Sequence, residues 1–237
     1  MIRILALLAS GLLTLSACAT GLSIRTEDDP RLQVGIMLLD RVYNSELMAP
    51  IDVFQHTIFH CDPGMRVFTI GRSKEPVLTF EGQRILPDYD LDDAPPIDVL
   101  VMPSTEHSMG KDLEDQRLMR WLRERGQAAQ YLLSVCDGAF PFAEAGLLDG
   151  LECTTFPGDI DKFRARYPHL TVHEGVIFVA DGKAITGAGG ARSYDPAFYL
   201  VEKLYGRKVA ERIGRGLVID WKLSEVAHSI GPKTKVP

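Results

Sequence analysis

The side chain best suited to covalent chemistry is Cys136, in the stretch Leu132-Leu133-Ser134-Val135-Cys136-Asp137-Gly138-Ala139-Phe140. The apolar run Tyr131 to Val135 predicts a buried strand. Gly138 to Leu148 predicts a helix, because Ala139, Phe142, Ala143, Gly146 and Leu147 recur near helical spacing. The thiol therefore stands at a tight strand-to-helix turn, with Ser134 two residues before it and Gly138 two after it. That is the steric pattern of a nucleophile elbow with sulfur in place of the serine oxygen, a turn so crowded that only small flanking side chains fit. It also aims the sulfur at the first free amides of the helix, where partial positive charge favours a thiolate. A free cysteine is equally at home as a small buried hydrophobe, and spacing alone leaves both readings open.

A reactive thiol needs partners. Glu46 opens the helix after the first strand, where its carboxyl can remain protonated and donate a hydrogen bond to the sulfur; the plainer reading is a first-turn acid favoured by the helix dipole. Asp137 can orient a substrate or water, or only cap its helix. The backbone amides around Ser104, Thr105 and Asp137 are candidates for an oxyanion hole. Of the six histidines only His107 falls in a loop on the same edge, and it reads as either a base or a solvated side chain. His56 and His60 sit four apart on a helix without a matching acid pattern, so no metal site is expected. Gly187-Ala188-Gly189-Gly190 lacks the lysine and Ser/Thr of a phosphate loop, and a tight turn before a helix explains it better.

The elements that must position these residues alternate. Leu32 to Leu39 and Ile97 to Met102 are continuous apolar runs, as in strands covered on both faces, and Met65 to Ile70 is a further strand. Glu46 to Phe59 reads as a helix capped by Ser45, and Asp112 to Arg125 as an amphipathic helix with Leu113, Leu118, Trp121 and Leu122 inward. Val77 to Phe80 and Arg84 to Leu86 read as a hairpin. Later strands are expected at 151–155, 170–173, 176–179 and 184–186, and later helices at 159–167, 194–205 and 208–214. This alternation predicts an open α/β sheet with mostly parallel strands, whose ligands bind at the carboxyl ends of the strands. The loop before Glu46, the loop Pro103 to Met109 and the turn at Cys136 would meet there.

Length and composition fit one sizeable domain: 237 residues, 46% apolar and 24% charged. A net charge of −6 without a basic stripe argues against nucleic acid as a partner. Arg3, the apolar run Ile4 to Leu15 and the small residues after it read as an export signal too short to span a bilayer. Leu15-Ser16-Ala17-Cys18 resembles a bacterial lipobox, which implies cleavage before Cys18 and lipid on its sulfur. The alternative is a plain secretory signal. Ala19 after the cysteine fits onward transport to the outer membrane. The expected organisation is a lipoprotein signal peptide at 1–17, a lipidated tether at 18–30, the domain at 31–220 and a polar tail at 221–237. Cys61, Cys136 and Cys153 leave an odd count in an oxidising compartment; Cys61 with Cys153 is one open pairing.

Six stretches together resemble the ThiJ/PfpI (DJ-one) superfamily, the class-I glutamine-amidotransferase-like domains. They are Val34-Gly35-Ile36, Glu46 to Phe54, Ile97 to Pro103, Ser134 to Gly138, Ala145 to Gly150 and Ile185 to Gly190. The branch most similar is that of the isonitrile hydratases and of the sensor domains fused to AraC-type regulators. The resemblance implies a flavodoxin-like three-layer sandwich, frequently a homodimer, with Cys136 as nucleophile, Glu46 as its acidic partner and no cofactor. The chain departs from the pattern in three places. Thr154-Thr155-Phe156-Pro157 stands where the branch carries Thr-Thr-His-Trp, Ser104-Thr105 replaces Gly-Gly, and Asp137 replaces His, Thr or Ala.

Two functions are expected from this. The first is a lipid-anchored, periplasm-facing cysteine enzyme adding water to a small electrophile, an isonitrile or a glyoxal-type aldehyde. Cys136, Glu46 and Asp137 would do the chemistry, and Ser104, Thr105, His107 and Phe156 would line the substrate site. The second is a non-enzymatic envelope protein that binds ligands or senses redox state through Cys136.

Overall fold

The computed structural model describes residues 29–234. The expected signal peptide, Cys18 and most of the expected tether lie outside the described residues. Twelve strands are present among the described residues: β1 (Leu32–Met37), β2 (Met65–Gly71), β3 (Val77–Leu78), β4 (Arg84–Ile85), β5 (Tyr89–Asp90), β6 (Val99–Met102), β7 (Tyr131–Val135), β8 (Glu152–Cys153), β9 (Thr171–Val172), β10 (Phe178–Asp181), β11 (Ala184–Gly187) and β12 (His228–Ile230). The α-helices are α1 (Asn44–Gln55), α2 (Lys111–Glu114), α3 (Gln116–Ala128), α4 (Ala139–Glu144), α5 (Ile160–Arg166), α6 (Tyr194–Tyr205) and α7 (Arg207–Gly216).

Eight strands form one sheet in the order β12-β10-β11-β7-β6-β1-β2-β5. Every pairing is parallel except β10 with β11. Alternate side chains divide the sheet between two cores. Val99, Val101, Leu133 and Val135 point to a layer built by α1, α6 and α7, with Phe54, Phe198 and Ile213. Leu100, Met102 and Leu132 point to the opposite layer, with Leu122 of α3, Phe142 of α4 and Phe163 of α5. Helices on both faces are why these strands read as unbroken apolar runs. Each fully buried Leu or Phe here contributes roughly 1.5–3 kcal/mol.

Four departures from the sequence reading have local causes. Ser45 does not cap α1; the helix starts at Asn44, whose amide N–H donates to the carboxylate of Glu81 in the β3–β4 turn, 3.0 Å away. The helix expected at 112–125 is two, because Asp115 turns out of helical geometry and its carboxylate accepts the N–H groups of Arg117 and Leu118, capping α3. The helix expected to reach Leu148 ends at Glu144, and Gly146 follows with φ +73°.

The expected polar tail is folded. The Trp221 indole N–H donates to a Glu202 carboxylate oxygen at 2.7 Å and its ring stacks on Phe198. Beyond it β12 pairs with β10 and covers what would otherwise be an open sheet edge.

Candidate active site

β1, β6, β7 and β11 run in the same direction and end side by side. The segments that follow them carry Glu46, Ser104, Cys136 and the Gly189-Gly190 pair. β7 runs extended to Val135, and the chain then turns so sharply that Cys136 takes φ +54°. A side chain in that left-handed region is strained by about 1–2 kcal/mol. The strain holds because neighbours enclose the turn. A Cβ built on Gly138 would stand 2.0 Å from the carbonyl oxygen of Met102 at the end of β6. A Cβ on Gly189 would stand 2.3 Å from the Cβ of Cys136. The glycine-rich stretch therefore serves close approach to the nucleophile.

Glu46 enters from the first turn of α1 and is 4% exposed. Its Oε2 accepts the Ser104 N–H at 3.1 Å and its Oε1 accepts the Gly190 N–H at 3.2 Å. The Cys136 thiol is the neighbour that acts most strongly on this carboxyl. Burial pushes the Glu46 carboxyl up to about 7, against the pull of the Cys136 thiol and of the Gly190 and Ser104 amides.

The thiol is 7% exposed, and burial pushes it well up from its ordinary value. The charges of Glu46 and Asp137 push the same way; the Asp137 N–H alone pulls down. Burial thus works against the thiolate expected from the helix amides. The helix that follows is only Ala139–Glu144, preceded by a 3-10 turn, and enclosure between two carboxyls outweighs it.

Two of the three amides expected in an oxyanion hole are engaged within the protein. The Ser104 N–H is taken by Glu46, and the Thr105 N–H donates to the Ser108 hydroxyl at 2.8 Å. Thr105 instead anchors the loop: its hydroxyl donates to Asp112, which is ion-paired to Arg72.

His107 shapes the same loop through its backbone, with its N–H on the Thr105 hydroxyl at 2.9 Å and its carbonyl accepting from Gly110 and Asp112. Among the described residues no histidine ring hydrogen-bonds to Cys136, Glu46 or Asp137. Phe156, in the place where the sequence pattern implies a histidine, is 42% exposed with its ring against Gly158. Cys61 and Cys153 are free; Cys153 packs in the core with α5. Among the described residues no cluster of His, Cys, Asp and Glu is arranged to hold a metal ion.

Asp137 is nearly buried, and its Oδ1 lies 3.1 Å from the hydroxyl of Thr155. That hydroxyl is also 3.1 Å from the Cys136 carbonyl and can donate to one of the two at a time. Burial, and then the charge of Asp159, push the Asp137 carboxyl up to about 7. Asp159 is 8% exposed and ion-paired to Lys162. Tyr43 also faces the site, its hydroxyl pushed up by burial and then by Cys136. Thr155, Asp159, Lys162 and Tyr43 carried no local sequence signal; each reaches the site only through the folding of its loop.

Comparison with known proteins bears on this geometry. The family model described as the DJ-1/PfpI family matches residues 32–203. The isonitrile hydratase of Pseudomonas putida is 28% identical over 187 residues, covering 77% of this chain and 76% of that protein. The HTH-type transcriptional regulator CdhR of Pseudomonas aeruginosa is 35% identical over 102 residues, 43% of this chain and 30% of the regulator. The crystal structure of Drosophila melanogaster DJ-1beta superposes with a TM-score of 0.69 at 20% identity, covering 81% of this chain and all of that one, which is a likeness of fold.

Proposed function

Since the chain belongs to the DJ-1/PfpI family, we propose that it is a cysteine-dependent enzyme that adds water to a small electrophile, with Cys136 as nucleophile and Glu46 as its proton partner. One observation carries the reading: a buried thiol held at positive φ beside a buried carboxyl, which two backbone amides hold in place. A carboxyl poised near neutrality suits both taking and returning a proton at working pH.

The similarity to an isonitrile hydratase favours an isonitrile as the electrophile. Sulfur attacks the terminal isonitrile carbon and forms the S–C bond, while Glu46 takes the thiol proton and returns it to that carbon. The product is a thioimidate on Cys136. Water then adds across the C=N bond, its hydroxyl to carbon and its proton to nitrogen, with Asp137 relaying the proton. The C–S bond breaks, sulfur recovers the hydroxyl proton, and an N-substituted formamide leaves. A glyoxal-type aldehyde would enter the same way, the thiol proton going to the carbonyl oxygen.

A panel of isonitriles and aldehydes tests the reading by product analysis. Turnover that is lost in Cys136→Ala supports it. No turnover on any member, with reversible uptake of peroxide oxygen at Cys136, would replace it with the redox-sensing reading. Lipid anchoring in a bacterial envelope is part of the proposal and rests on Leu15 to Cys18 alone; loss of attached lipid in Cys18→Ser tests that part separately.

A further inference from the structure

Thr155 places one hydroxyl between two groups of the nucleophile's turn. Its Oγ1 lies 3.1 Å from the carbonyl oxygen of Cys136 and 3.1 Å from Oδ1 of Asp137. All three residues are nearly buried, so bulk water does not compete for these bonds. A hydroxyl carries one proton, and here two acceptors face it. The acceptors are not equal. The Cys136 carbonyl also accepts the Ala139 N–H, so it keeps a donor when the hydroxyl turns away. An ionised carboxylate draws the hydroxyl more strongly than a peptide carbonyl does, because a charge-assisted hydrogen bond is roughly twice as strong as a neutral one. When Asp137 is protonated, its own O–H can donate to Oγ1, and the hydroxyl is then released to the Cys136 carbonyl.

We propose that Thr155 is a positioning residue of this site: its hydroxyl fixes Asp137 against the peptide of the nucleophile and follows the carboxyl's proton, donating to Asp137 when it is ionised and to the Cys136 carbonyl when it is not. The proposal rests on the hydration reading and deepens it, since Asp137 relays the proton when water adds, and Thr155 sets where that carboxyl stands in both of its states.

The loop after β8 is built to deliver this hydroxyl. Thr154 pins it on two sides, its N–H donating to the Thr186 hydroxyl of β11 at 2.8 Å and its own hydroxyl to the His173 carbonyl at 2.9 Å. Thr155 comes next and is 1% exposed. Phe156 after it brings no polar group. The titratable groups around Asp137 are Cys136 in its own turn, Glu46 of α1 with Tyr43 just before that helix, Asp159 of the turn Pro157–Asp159, and Lys162 of α5. All of them stay in place when Thr155 alone is changed, so a difference between Thr155 variants reads the hydroxyl.

The test is a carbon-13 titration of the full chain labelled at its aspartate carboxyls, which leaves Glu46 silent. The Asp137 signal is identified by its loss in Asp137→Asn. In Thr155→Val its midpoint should rise by about one pH unit, because the ionised form loses a donor that the shape of the side chain would otherwise supply. Thr155→Ser, which restores the hydroxyl, should bring it back. Thr155→Ala removes the hydroxyl without setting a methyl against the two oxygens, and gives the same comparison if the valine variant does not fold. Where a substrate is turned over, kcat should fall roughly tenfold in Thr155→Val while KM holds, and should recover in Thr155→Ser. An Asp137 midpoint that does not move when the hydroxyl is removed, or that Thr155→Ser fails to restore, overturns the proposal. Absence of turnover would sink the enzyme reading alone, since the titration decides the role of Thr155 without a substrate.

Discussion

Gly189 lies against Cys136 so closely that no side chain fits between them: a Cβ on Gly189 would be 2.3 Å from the cysteine Cβ and 2.8 Å from its Cα. Gly189 also holds φ +87° and ψ −164°, a region open to glycine alone. Its neighbour Gly190 supplies the N–H that orients Glu46. The nucleophile, its carboxyl partner and the glycine turn are therefore one packed unit.

Gly189→Ala should disrupt that unit. The backbone clash and the forbidden conformation together should cost about 2–5 kcal/mol, read by denaturant unfolding. Gly175→Ala is the control, because Gly175 has φ +75° but nothing within 4 Å of a built Cβ. It should cost only about 1–2 kcal/mol, the strain of a side chain in the left-handed region. Equal losses in the two variants would contradict the packing account.

Glu46→Gln separates charge from shape. Removing a buried negative charge next to the thiol lowers the work of forming the thiolate, so alkylation of Cys136 by iodoacetamide at pH about 8 should quicken roughly tenfold. Turnover should nonetheless fall on the order of a hundredfold, because the base is gone. The amide can accept from only one of the Ser104 and Gly190 N–H groups and leaves the other facing an NH2. Slower alkylation in the variant would mean that the carboxyl activates the thiol at rest.

Stability should carry the same carboxyl's signature. Glu46 rises in the fold from its ordinary 4.5 to about 7, so the folded protein holds this proton more tightly than the unfolded chain does. Its contribution is complete below the unfolded value and is lost as pH climbs toward the folded one. Between pH 4.5 and about 7 the wild type should lose on the order of 1–3 kcal/mol that Glu46→Gln does not lose. Unfolding free energies of the two proteins across that window check this; parallel curves would contradict the buried, protonatable carboxyl.

Much of this architecture was legible because it is written in local patterns. The doubly buried strands announce themselves as apolar runs, and Cys136 between Ser134 and Gly138 marks the turn. Glu46 stood out from its place at the head of the helix after the first strand. What escaped depends on contacts between distant segments. Asp159 looked like a helix-start acid, and only the folding of the loop after β8 brings it to Asp137. The glycines at 189 and 190 looked like a turn, because the partner they approach lies on another strand. Asp115 breaks its helix inside a stretch whose apolar spacing continues across it. β12 is three residues, His-Ser-Ile, too short and polar to register as a strand until β10 offers it an edge. At the thiol the two forces differ in legibility: a helix dipole can be read from sequence, whereas the burial that opposes it cannot.

The most direct test of the central claim is mass spectrometry of the intact protein, quenched with acid during reaction with a small isonitrile. The account predicts a mass increase equal to one isonitrile, localised by peptide mapping to Cys136, present in wild type and absent in Cys136→Ala. Cys61 and Cys153 should stay unmodified. An unmodified Cys136 in the presence of turnover, or an adduct that survives Cys136→Ala, would contradict it.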